Sequence, residues 1–170
     1  MFRWLKILIL LIMSGASTLS AEEKIFKTFN KNILKNIEIN DSNNLKVNIN
    51  DLFSKNQNYI INFWAVWCLP CKKELPELQK IHIGLIHKNI KTYIISIDKK
   101  NIKKQLKYLE INNVDTLVPF FDQKMILYNS LKLRGIPSTI IINKKNKMAI
   151  KEGIIKHSEK IMDELNIFFK

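Results

Sequence analysis

The sequence predicts an α/β fold: a central mixed β-sheet flanked by helices, with a β-hairpin near its N-terminal end. Three observations predict it. Between residues 59 and 142, β-rich apolar runs alternate with stretches of helical periodicity, the pattern of strand–helix–strand units. Two short alternating runs, Ile37-Glu38-Ile39 and Leu45 to Ile49, flank the turn formers Asn40-Asp41-Ser42-Asn43-Asn44. A polar turn, Lys144 to Lys147, separates two further apolar runs and closes the sheet with a second hairpin.

Each element has its own justification. Asp51 can cap a short helical turn through Leu52 and Phe53. Tyr59-Ile60-Ile61-Asn62-Phe63-Trp64 has the composition of a buried strand. From Leu69 to about His87 the period becomes helical, with Leu75, Leu78, Ile81 or His82 and Leu85 on one face. Thr92 to Ile97 is a second buried strand, ended by Asp98. Asn101 to Ile111 is an amphipathic helix carrying Ile102, Leu106 and Leu109 on one side. Val118 to Phe121 is extended, Met125 to Leu131 a short helix, and Arg134-Gly135 a break. Thr139 to Ile142 and Met148 to Ile155 are the closing strands, and Ser158 caps a last helix to Phe169.

The chain has 170 residues, enough for one domain with a real core. Its formal net charge is +13, but 26 of its 28 basic residues are lysines spread along the chain. Lys, Asn and Ile are over-used together, as an AT-rich coding sequence would give. A solvated basic surface, with no nucleic-acid partner, is the expectation. The N-terminus has the three parts of an export signal. Arg3 and Lys6 are its positive end, Leu5 to Met13 its apolar run, and Leu19-Ser20-Ala21 a cleavage site. An uncleaved anchor is the alternative, and either places the rest outside the cytoplasm. The expected organisation is therefore a signal or anchor over 1–21, a polar Lys/Asn-rich linker over 22–36, and one folded domain over 37–170.

The chain's two cysteines, Cys68 and Cys71, stand in a C-x-x-C spacing between a buried strand and a helix. Only a thiolate attacks a disulfide. The unpaired N–H groups and dipole of a helix N-terminus favour that charge. Cys68 is placed at such an end and is the expected nucleophile. Cys71, one turn on, is placed to resolve the mixed disulfide. Pro70 suits the first turn, where its missing N–H does no harm. A disulfide closing so small a loop stabilises a fold little, which favours chemistry over stapling. Structural zinc usually takes four ligands, and His82, His87 and His157 show no ligand spacing, so no metal site and no cofactor are expected. Copper(I) on the same two soft thiolates, in a metallochaperone, is the alternative function.

The stretch from Ile60 through Trp67-Cys68-Leu69-Pro70-Cys71-Lys72-Lys73-Glu74-Leu75-Pro76 to Leu78 resembles the active-site segment of the TlpA/ResA-like branch of thioredoxin-fold proteins. A second stretch agrees in order and type: Pro119 to Gln123, Tyr128, then Leu133-Arg134-Gly135-Ile136-Pro137-Ser138-Thr139 to Asn143, with Glu152-Gly153 at the end of the closing hairpin. The resemblance runs from about Ile37 to the C-terminus. It implies a thioredoxin-like three-layer fold and a thiol–disulfide oxidoreductase of the periplasm or other extracytoplasmic space. The implied role is reduction of disulfide-bearing envelope proteins such as apocytochrome c. A membrane thiol donor would supply the electrons.

The resemblance also implies site roles. Pro137 is expected to be cis and, with Ile136, to face the cysteines and offer backbone groups to a substrate chain. Trp67 would cover Cys68 and supply an apolar contact for a partner. Pro76 would kink the active-site helix. Glu74, three residues after Cys71, is expected to lie under the cysteines, where a buried acid tunes thiols or relays a proton. The alternative for Glu74 is a solvent-facing acid paired with lysine. Asn62 replaces the buried Asp of thioredoxin and cannot relay a proton. Trp64 flanks the site or belongs to the core.

Overall fold

A computed structural model describes residues 24–33 and 35–170, and its architecture follows from the spacing of the apolar runs. The strands are β1 (Lys27–Thr28), β2 (Glu38–Asn40), β3 (Lys46–Asn48), β4 (Asn58–Trp64), β5 (Ile90–Ser96), β6 (Val118–Phe121), β7 (Ser138–Ile142) and β8 (Met148–Glu152). The helices are α1 (Leu69–Gly84), α2 (Ile102–Ile111), α3 (Ile126–Ser130) and α4 (Met162–Phe168). Among the described residues they form one mixed sheet of eight strands in the order β1-β8-β7-β4-β5-β6-β2-β3. β4, β5 and β6 run parallel; β7 runs antiparallel to β4, and β8 to β7.

Every residue of β4 is buried, because a central strand of a helix-flanked sheet has no solvent face. That is why Tyr59 to Trp64 reads as a continuous apolar run rather than an alternating one. β2 and β3 pair antiparallel around Asp41, whose carboxylate accepts from the backbone N–H of Asn43 and Leu45. The many asparagines serve the turns. Among the described residues, five of the seven non-glycine residues with positive φ are Asn, at positions 44, 56, 89, 113 and 146. Asn tolerates the left-handed region better than branched residues, which lets a chain with four glycines make so many reversals.

Two expectations at the ends change. The last strand stops at Glu152 rather than Ile155. Gly153, at φ +79°, turns the chain out of the sheet, and the Ile155 N–H leaves the ladder to bind a side chain of α1. Ser158 does not cap with its hydroxyl: its backbone N–H donates to Glu77 of α1 at 2.9 Å, at the start of a 3₁₀ turn that precedes α4.

The stretch read as a linker over 22–36 is, from residue 24, part of the folded domain. Phe26 and Ile33 are buried in the core. Lys27–Thr28 adds an edge strand to β8. The Glu164 carboxylate of α4 accepts from the Ile25 and Phe26 N–H groups at 3.0 Å each. Two apolar anchors among Lys and Asn show no periodicity, so only the tertiary contacts reveal them. Phe26→Ala should therefore destabilise the domain by about 3 kcal/mol in urea unfolding; an unchanged midpoint would return this segment to linker status. Residues 1–21, read as a signal or anchor, lie outside the described residues. Among the described residues no helix is long and apolar enough to cross a membrane.

Candidate active site

β4 delivers the chain to the site, and α1 starts there. After Trp64 the chain turns, with the Cys68 N–H donating to the Ala65 carbonyl at 3.1 Å. Cys68 is the N-cap of α1 in an extended conformation, and its Sγ accepts from the Cys71 N–H at 3.2 Å. The sulfurs of Cys68 and Cys71 are joined in a disulfide. The sequence placed Cys68 at a helix N-terminus with Cys71 one turn on, and this is where they lie. Cys71 is 1% exposed and Cys68 5%, so the outer sulfur belongs to Cys68. On either side Trp67 and Leu69 are exposed, an apolar rim around a buried pair.

A second segment closes over the cysteines. The Ile136–Pro137 peptide bond is cis. The Ile136 carbonyl oxygen lies 3.8 Å from Cys68 Sγ. The loop is braced on all sides. Gly153 donates its N–H to the Pro137 carbonyl at 2.9 Å, the Ser138 hydroxyl donates to the Gly135 carbonyl at 2.7 Å, and the Arg134 guanidinium forks onto the Glu152 carboxylate.

Glu74 points into the protein, not to solvent, and is fully buried. Its Oε1 accepts from the Ile155 N–H at 3.0 Å and from the Thr139 hydroxyl at 3.5 Å, and its Oε2 from the Asn62 side-chain amide at 3.3 Å. The amide of Asn62 also donates to the Thr139 hydroxyl at 3.0 Å. Burial pushes the Glu74 carboxyl up to about 7, against the opposing pull of the Ile155 and Asn62 hydrogen bonds, the Lys151 charge and Thr139. A carboxyl titrating there can hold or release a proton under ordinary conditions. Asn62 thus has a use that the missing Asp did not suggest: it binds the acid. Its own Oδ1 is buried without a partner, and an amide turned the other way would accept a hydrogen bond from a neutral Glu74.

Sequence reading missed Thr139, Lys151 and the Ile155 N–H. A signal existed for Thr139. It faces Asn62 across β4 and β7, two polar residues paired in the middle of apolar strands. Trp64, left open between site and core, is fully buried and packs 6.0 Å from the Tyr108 ring. Pro76 sits inside α1, which continues past it to Gly84. His82 binds the Thr92 hydroxyl at 3.0 Å, a core contact, and burial lowers its pKa. Among the described residues there is no group of three or more His, Cys, Asp or Glu side chains arranged to hold a metal.

A disulfide at a helix N-terminus against a cis-proline loop, with a buried acid on the same helix and a mixed sheet of this order, defines a thioredoxin-fold thiol–disulfide oxidoreductase. The comparisons with known proteins agree. The chain belongs to the AhpC/TSA family, whose model matches residues 31–151, and is of its TlpA/ResA-like kind. It is 25% identical over 170 residues to the thiol-disulfide oxidoreductase ResA of Bacillus thuringiensis (strain Al Hakam), covering 97% of this chain and 93% of that one. The crystal structure of StoA from Bacillus subtilis is similar at a TM-score of 0.60 and 22% identity, over 75% of this chain and 93% of that one. A secreted thiol-disulfide isomerase from Corynebacterium glutamicum is similar at 0.66 and 22%, over 85% and 91%. At these identities the two structures speak for the fold alone.

Proposed function

We propose that this oxidoreductase works outside the cytoplasm as a reductant of envelope proteins with disulfides, apocytochrome c among them. A membrane thiol donor would return it to the dithiol form. The observation that carries the reading is the site's access. The outer sulfur, Cys68, lies against the Ile136 carbonyl, between the exposed Trp67 and Leu69. An extended substrate chain can pair with the backbone of the Ile136–Pro137 loop and rest its apolar side chains on that rim. The ResA name of its relatives supports the reaction, and the three-part N-terminal sequence supports the compartment.

In this reading the Cys68 thiolate attacks one sulfur of the substrate disulfide. A mixed disulfide forms and the other substrate sulfur leaves as a thiolate, which takes a proton. Cys71 gives up its proton, with Glu74 as the proposed acceptor, and attacks Cys68. The Cys68–Cys71 disulfide forms, and the second substrate thiol is released. Two electrons have passed to the substrate. The test has two arms. Alkaline phosphatase fused after Lys170 should be active, which requires export; an inactive fusion retained in the cytoplasm would overturn the compartment. The reduced chain should convert oxidised apocytochrome c to its dithiol form, with the Cys68–Cys71 disulfide accumulating in step; no transfer would overturn the substrate.

A further inference from the structure

The basic residues were read from the sequence as a solvated surface without a specific partner. The fold gathers six of them. β1 at the sheet edge, the end of β8 and the segment before the cis-proline loop enclose a groove of about 660 Å³. Lys24, Lys27, Lys31, Lys132, Arg134 and Lys151 line it. Among the described residues its one acidic lining group is Glu152, and Arg134 already engages that carboxylate. Apolar side chains, Phe29, Leu133 and Ile150 among them, also line the groove. The Glu152 end of the groove adjoins the cis-proline loop, since Glu152 pairs with Ser138 and the Gly153 N–H donates to the Pro137 carbonyl. Arg134 is two residues from Ile136, whose carbonyl touches Cys68 Sγ.

We propose that this groove docks an acidic, apolar-interspersed segment of the partner polypeptide, adjacent to the disulfide that Cys68 attacks. The proposal rests on the redox function above and adds the chemistry of the partner. Charge complementarity sets the sign: like charges crowded in one concavity are relieved by anions, and such a field raises the encounter rate. The concave shape and apolar lining fit side chains of an extended peptide better than the flat plane of lipid headgroups. Continuity with the Ile136–Pro137 loop fits a chain that runs from the groove into the site. The edge strand β1 offers backbone groups along the same path.

The test is binding of a cysteine-free peptide of alternating Glu and Leu to the full chain, followed by fluorescence anisotropy. Wild type should bind it at low ionic strength and lose most of that affinity at 0.5 M salt. Lys27→Gln/Lys31→Gln/Lys132→Gln should weaken binding tenfold or more. Lys91→Gln/Lys104→Gln/Lys107→Gln, an equal charge change on β5 and α2, should leave it within twofold. Equal losses in both variants would mean net charge alone, and would overturn the groove. So would a groove variant that keeps peptide binding but loses binding to phosphatidylcholine–phosphatidylglycerol vesicles, which would assign the groove to the membrane. Exchange of wild type with a neutral disulfide peptide separates the two readings. If that exchange fails while the acidic peptide binds, the redox function falls and the groove stands.

Discussion

Cys68→Ser is expected to abolish reduction of an insulin-type disulfide in the presence of dithiothreitol, and Cys71→Ser to arrest it with substrate trapped on Cys68. The asymmetry follows from the helix start. The Cys68 sulfur receives the Cys71 N–H at 3.2 Å and sits at the N-terminus of a helix of 16 residues. Both features favour a thiolate there, and none reaches out to the more deeply buried Cys71. Without Cys68 no bond to substrate forms, so the loss is total. Without Cys71 the first step proceeds and the second has no nucleophile. The measurement is turnover by turbidity, with non-reducing mass spectrometry of the chain. Full turnover by Cys71→Ser would overturn the two-cysteine mechanism.

Glu74→Gln is expected to have the second largest effect, on stability and on the thiols together. Burial pushes the Glu74 carboxyl up to about 7 in the folded protein, well above its ordinary value of 4.5. The folded state therefore holds its proton more tightly than the unfolded chain. Stability from this group is greatest below pH 4.5 and is lost as pH rises toward and through 7, by about 3 kcal/mol in all. Glutamine keeps the shape and an acceptor for the Ile155 N–H and carries no charge. A turned Asn62 amide can accept from it. Urea unfolding at pH 5 and pH 8 should differ in wild type and converge in the variant.

The same charge is expected to act on the cysteines in the dithiol form. A carboxylate and a thiolate sharing a poorly solvated interior raise each other's pKa, so their titrations are coupled. Removing the charge should lower the Cys68 pKa, by about one unit if the interaction is worth ~1.4 kcal/mol. Thiolate absorbance against pH reads it directly. Superposed curves for wild type and Glu74→Gln would mean the acid is structural only. A purely structural role would move the unfolding curves and leave the thiols alone.

The redox pair was legible because its signal is local. Cys68, Pro70 and Cys71 lie within one turn, and a strand before them and a helical period after them place the turn at a helix start. The β4 run and the Asp41 turn were legible for the same reason, since strand burial and turn chemistry are written over five to seven neighbouring residues. Tertiary structure decided what depends on distant contacts. Glu74 is buried because Asn62, Thr139 and Ile155, separated from it by 12, 65 and 81 residues, converge on one carboxyl. Nothing in Lys72-Lys73-Glu74 distinguishes that acid from a surface one. Phe26 is held in the core where β8 presents an edge and α4 a carboxylate for the backbone beside it. Lysines spread evenly along the chain become a groove only where β1, β8 and the approach to Pro137 meet, since the sequence records each charge but the field depends on the distances between them.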